Sequence, residues 1–170
     1  SDLCVIVDSC LCVMSCLQKY SPIILKPNWS IIGSAILVFW FWKTQALYGF
    51  NPTDDGFVLS QSWRLVHGEI PHVNFTSPRP LGSALIHAPF VLIPYGMLAV
   101  SRLFVVFQFF WIARMSVKIG SRSKQLHGTY AEFCLIAIAF LVNLGTWPVM
   151  AWHTVDGIFL GITAIAYSQE

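Results

Sequence analysis

Two adjacent carboxylates, Asp54 and Asp55, stand near the head of the most polar stretch of the sequence, NPTDDGFVLSQSWRLVHGEIPHVNF at residues 51–75. A third, Asp156, lies about 100 residues further on, in WHTVDGIFLG. Among the arginines that fall between them, two stand out, Arg79 in the proline-rich SPRPL and Arg102 in SRLF. Carboxylates can take up protons or hold hard cations, and guanidinium groups pair with anions. Each residue also has a plainer use. Asp54 or Asp55 can cap the helix that follows, because negative charge suits a helix N-terminus. Asp156 can cap another. Arg102 can snorkel at a helix end, and Arg79 can be a solvated loop residue.

Other reactive types carry less. His87 and His153 read as satisfied interface histidines rather than metal ligands. Four of the five cysteines, Cys4, Cys10, Cys12 and Cys16, lack the paired CxxC spacing of a zinc site and read, with Cys134, as small apolar filler. Trp63 reads as a membrane anchor, and the Phe-rich run at 104–111 as bundle packing or lipid-facing surface.

The elements that position these residues follow from composition. Of 170 residues, 56% are hydrophobic and 11% charged, with a mean hydropathy of +0.66. Soluble domains average roughly 25% charged residues, so the polar surface is too small for water and suits a bilayer. The net charge of +2 is too small to point to nucleic acid. The expected fold is all-α, a polytopic membrane helical bundle. Apolar runs predict spans at about 30–48, 99–119, 131–150 and 157–170. The first ends in Trp40, Trp42 and Tyr48, an aromatic belt. Between spans, residues 55–68 predict an amphipathic surface helix with Val58, Leu59, Trp63, Leu65 and Val66 on its apolar face and Gly68 as its stop. Residues 81–96 contain Pro89 and Pro94 and predict an interfacial or re-entrant segment. Residues 1–29 are an N-terminal cytoplasmic segment with no assigned function.

Charge chooses the topology. If 81–96 does not cross, Lys19, Lys26, Lys118, Arg122 and Lys124 share the cytoplasmic side, as basic short loops do. Asp54, Asp55, Glu69 and Asp156 then share the outer face.

At this point a family pattern becomes visible. D-D-G-F-x-L-x-x-S-W-R-L-x-x-G-E-I-P-H-x-N-F, residues 54–75, resembles the first extracytoplasmic loop of GT-C superfamily membrane glycosyltransferases, similar to bacterial protein O-mannosyltransferases and aminoarabinose transferases. Those commonly show an acidic pair, a short surface helix, then G-x-x-P-Y and a proline-rich stretch like Ser77-Pro78-Arg79-Pro80-Leu81. Arg102 and Asp156 match an arginine and an acidic residue beside later spans. Asp55 replaces the more usual Glu, and His72 stands where Tyr is common.

The resemblance implies transfer of a hexose or pentose from a polyprenyl-phosphate donor to an extracytoplasmic acceptor, at the outer face of a bacterial inner (plasma) membrane. It makes Asp54 the base that takes the acceptor proton, supported by Asp55. Asp156 would orient the acceptor, or with Asp54 hold a divalent cation. Arg79 and Arg102 would bind the lipid phosphate. It also implies that the chain is a fragment of a longer enzyme, incomplete and inactive by itself. The rival class is a transporter or channel subunit, which would use the proline-broken segment; a membrane haem protein would need facing histidines within spans.

Overall fold

The computed structural model describes residues 27–49, 51, 53–121 and 129–169. The four early cysteines, Lys19, Lys26, Arg122, Lys124 and nearly all of the 1–29 segment lie outside the described residues.

Among the described residues the chain is all-helical, with six α-helices and no strand. They are α1 (Pro27–Phe41), continued by a π-helical turn (Trp42–Ala46), α2 (Asp55–Val66), α3 (Gly82–Val91), α4 (Met97–Gly120), α5 (Tyr130–Thr146) and α6 (His153–Ser168). Among the described residues one helix, α4, is long and apolar enough to cross a membrane. Its 24 residues would extend about 36 Å at 1.5 Å per residue. It is also the centre of the packing. Val105, Val106, Phe109, Phe110, Ile112 and Ala113 of α4 form the core with Ile136 and Phe140 of α5 and Val155 of α6. Helices α1 and α3 lean on α4, and α2 lies on α3.

Proline sets several boundaries. Pro89 sits inside α3, where it removes a hydrogen bond, and Pro94 falls in the break before α4. Ten residues of α3 rise only about 15 Å. Helix α5 stops at Thr146, short of the expected 150, because Trp147 precedes Pro148 and takes an extended conformation. Thr129 caps the start of α5, accepting from the Glu132 N–H at 3.2 Å. Helix α6 begins at His153, so Asp156 lies in its first turn rather than ahead of it. Helix α2 ends two residues before the expected stop, with Gly68 at φ +80° turning the chain away.

The inward face of α2 keeps Val58 and Leu59 of the expected one but not Trp63 or Val66. Asp55, Val58, Leu59 and Ser62, at helical spacing, are buried with Gln61, whereas Trp63 and Val66 are exposed. That face meets α3, where Ser62 Oγ donates to the Ala84 carbonyl at 2.8 Å. Polar side chains join the buried apolar ones in α4, and apolar ones line the outside of α5. Ser101, Arg102 and Gln108 of α4 are buried, while Leu135, Ile138, Leu141 and Val142 form an exposed stripe along α5.

Candidate functional site

The site is built where the C-terminal end of the π turn, the start of α2 and the start of α4 meet. The last carbonyls of a helix have no partner within it. Here Arg102 supplies one: its Nη1 donates to the carbonyls of Ala46 at 3.0 Å and Tyr48 at 3.1 Å. Its Nη2 donates to Asp55 Oδ2 at 2.6 Å. The other oxygen of Asp55 accepts from the Ala151 N–H at 3.1 Å, in the loop before α6. Asp55 and Arg102 are both buried, so one ion pair ties four pieces of chain together.

Asp54 sits beside it in a wetter setting. It holds the N-cap position of α2 without a side-chain cap bond. Its carboxylate accepts instead from Arg79 Nη1 at 2.8 Å and Asn51 Nδ2 at 3.3 Å. The Asp54 side chain is 20% exposed and that of Arg79 32%. Arg79 is aimed by its surroundings. Its guanidinium stacks 5.0 Å above the Phe57 ring of α2. Gln61 Nε2 donates to Ser77 Oγ, which donates to the Arg79 carbonyl, both at 2.9 Å. Thus α2 positions both members of the pair, Asp54 at its N-cap and Arg79 through Gln61 and Ser77.

Asp156 belongs to a second, fully enclosed cluster. Gln108 Nε2 donates to Asp156 Oδ1 at 2.7 Å. His87 Nε2 lies 3.4 Å from the same oxygen, an ion pair when the imidazole is protonated. His87 Nδ1 shares a 2.9 Å hydrogen bond with Ser101 Oγ. His87, Gln108, Ser101 and Asp156 are all buried. Among the described residues Gln108 Oε1 has no hydrogen-bond partner.

Each acidic residue of the DDG motif is therefore matched to one of the two candidate arginines, Asp54 to Arg79 and Asp55 to Arg102. Arg102, expected at a lipid phosphate, faces Asp55 and two backbone carbonyls. Ser101 links the clusters in sequence, since it neighbours Arg102 and bonds His87. Among the described residues no group of three or more His, Cys, Asp or Glu is placed to hold a metal ion. Asp54 already has a cationic partner, so the donor set lends no support to a cation shared with Asp156.

Two participants escaped the sequence reading. His87 reads in the sequence as an interface histidine rather than a metal ligand, and Gln108 is a lone carboxamide in FQFFW. The available signal was a carboxamide in the middle of an apolar run, since buried polar side chains are costly unless partnered. Comparison with family models, curated proteins and solved structures gives no match.

Proposed function

We propose that this chain is a multi-pass membrane glycosyltransferase of GT-C type, transferring a sugar from a polyprenyl-phosphate donor to an extracytoplasmic hydroxyl. The observation that carries the reading is the pairing at the DDG motif: one sealed carboxylate–arginine pair, Asp55–Arg102, beneath one that opens to solvent, Asp54–Arg79. The sealed pair fixes the loop. The open pair offers a base and an anion-binding group side by side.

In this mechanism Asp54 takes the proton of the acceptor hydroxyl as its oxygen forms a bond to the anomeric carbon. The bond from that carbon to the phosphate oxygen breaks, and polyprenyl phosphate leaves with the electron pair. Arg79 stabilises its charge. Arg102 acts as a positioning residue for Asp55, and Asp156 sets the packing of α6 against α3 and α4.

Helices α1, α4, α5 and α6 are the proposed spans. The π turn lengthens α1 from 15 residues by 5, giving about the 20 that a span requires. Exposed Ile32, Ile36 and Phe39 on α1, the α5 stripe, and Ile158, Leu160 and Ile165 on α6 suit lipid. The short α3 would dip in without crossing, which puts the DDG loop and Asp156 on one side. The bacterial inner membrane is the proposed location, with the site facing outside the cytoplasm.

A second reading rests on one observation. The enclosed His87–Asp156–Gln108–Ser101 cluster lies beside a proline-broken helix, an arrangement that suits a transport subunit. The two are separated by one experiment on the full-length protein in proteoliposomes. Transfer of labelled sugar from a polyprenyl-phosphate donor to acceptor supports the enzyme; ion or solute flux driven by a proton gradient, without transfer, supports the transporter and overturns the enzyme.

A further inference from the structure

The C-terminal half of α4 presents a feature that the glycosyl-transfer site does not use. Trp111, Arg114, Met115 and Lys118 follow one another at helical spacing and line a cavity of about 260 Å3, closed on the other side by Ala166 and Tyr167 of α6. Met115 and Ala166 are buried and make an apolar floor. Trp111 is a fixed wall, its Nε1 donating to Thr163 Oγ1 at 2.9 Å. Arg114 is exposed and makes no ion pair among the described residues.

We propose that this cavity binds the phosphate headgroup of an anionic phospholipid. The inference rests on reading α4 as a membrane span, and is independent of glycosyl transfer. Arg102 and Arg114 are twelve residues apart on α4, about 18 Å along its axis. The cavity therefore lies towards the opposite end of the helix from the DDG site, which the proposed topology makes the cytoplasmic end. Its chemistry is divided as a headgroup site requires. Arg114 faces the phosphate as its cation, with Lys118 one helical turn further along the lining; two aromatic side chains of interfacial type flank it, and the floor accepts the start of an acyl chain. A free anion would use the cations but has no need of the indole, the phenol or the apolar floor. The volume is also below the roughly 300–1,000 Å3 of sites for drug-sized ligands, as suits a headgroup rather than a whole metabolite.

Trp111 provides the readout. The full chain is reconstituted in phosphatidylcholine nanodiscs containing bromine-labelled phosphatidylglycerol or bromine-labelled phosphatidylcholine at equal mole fraction. The fluorescence assigned to Trp111 is the difference between the wild type and Trp111→Phe. The expected result is an association preference for phosphatidylglycerol of about fivefold or more, the contribution of one surface cation. Arg114→Gln should remove most of it, and Arg114→Lys, which keeps the charge, should retain most. Quenching with no lipid preference, or a preference unchanged in both Arg114→Gln and Lys118→Gln, overturns the proposal and leaves the membrane reading standing. Loss of the preference on adding inorganic phosphate overturns it in favour of a soluble anion. Quenching by neither lipid overturns the membrane reading and this proposal with it.

Discussion

Asp55 and Arg102, 47 positions apart in sequence, meet at 2.6 Å with both side chains withdrawn from solvent. Removing one partner of such a pair leaves the other charge buried and unpaired, at a cost of about 3–5 kcal/mol. We expect Asp55→Asn and Arg102→Gln each to unfold at markedly lower denaturant in detergent micelles. The double variant should lose much less than the sum of the two. Strictly additive losses would mean that the pair does not hold the loop.

The neighbouring pair should behave differently. Asp54 and Arg79 are partly exposed, and pairs of this kind contribute about 1 kcal/mol or less. Arg79→Gln is therefore expected to leave unfolding nearly unchanged while sharply reducing sugar transfer. A matching loss of stability would make Arg79 a structural residue only.

Within the enclosed cluster, Gln108→Leu removes a donor from Asp156 and leaves a buried acceptor short of a partner. A loss of about 1–3 kcal/mol is expected from denaturant titration. Thr146→Val, on the exposed side of α5, serves as the comparison and should cost much less. Equal losses would remove the special standing of the cluster.

The rotation of α2 is open to a simple test. Ser62 is fully buried and Trp63 is half-exposed. Ser62→Leu should overpack the contact with α3 and cost about 1–3 kcal/mol, whereas Trp63→Ala should leave folding almost untouched. The reverse order would return α2 to the orientation expected from its large apolar residues.

That orientation shows how much of the site was legible. The start of α2 at Asp55, its turn at Gly68 and the proline break after α3 were readable, because caps, glycine and proline act within a few residues. The inward face was partly readable: Val58 and Leu59 are buried as expected, and at about 100° per residue Asp55 and Ser62 fall between them, whereas Trp63 lies at the edge of that face and is exposed. What no local pattern contains is the pairing. Arg79 reaches Asp54 across 25 positions, and Asp55 meets Arg102 across 47. Charge sidedness could gather these residues at one membrane face, but only the packing of α1, α2 and α4 decides which carboxylate takes which arginine. Gln108 was hidden for a related reason: a single polar residue among phenylalanines barely alters hydropathy, and its partner Asp156 lies 48 positions away.

The most direct measurement compares Asp54→Asn with the wild type in the full-length protein, following donor binding and single-turnover sugar transfer separately. A general base acts in the chemical step and contributes typically about 10²–10⁴-fold. The account predicts transfer at least about 100-fold slower, with donor affinity nearly unchanged and folding intact. Near-normal transfer by Asp54→Asn would contradict it, leaving Asp54 as no more than the partner that holds Arg79 in place.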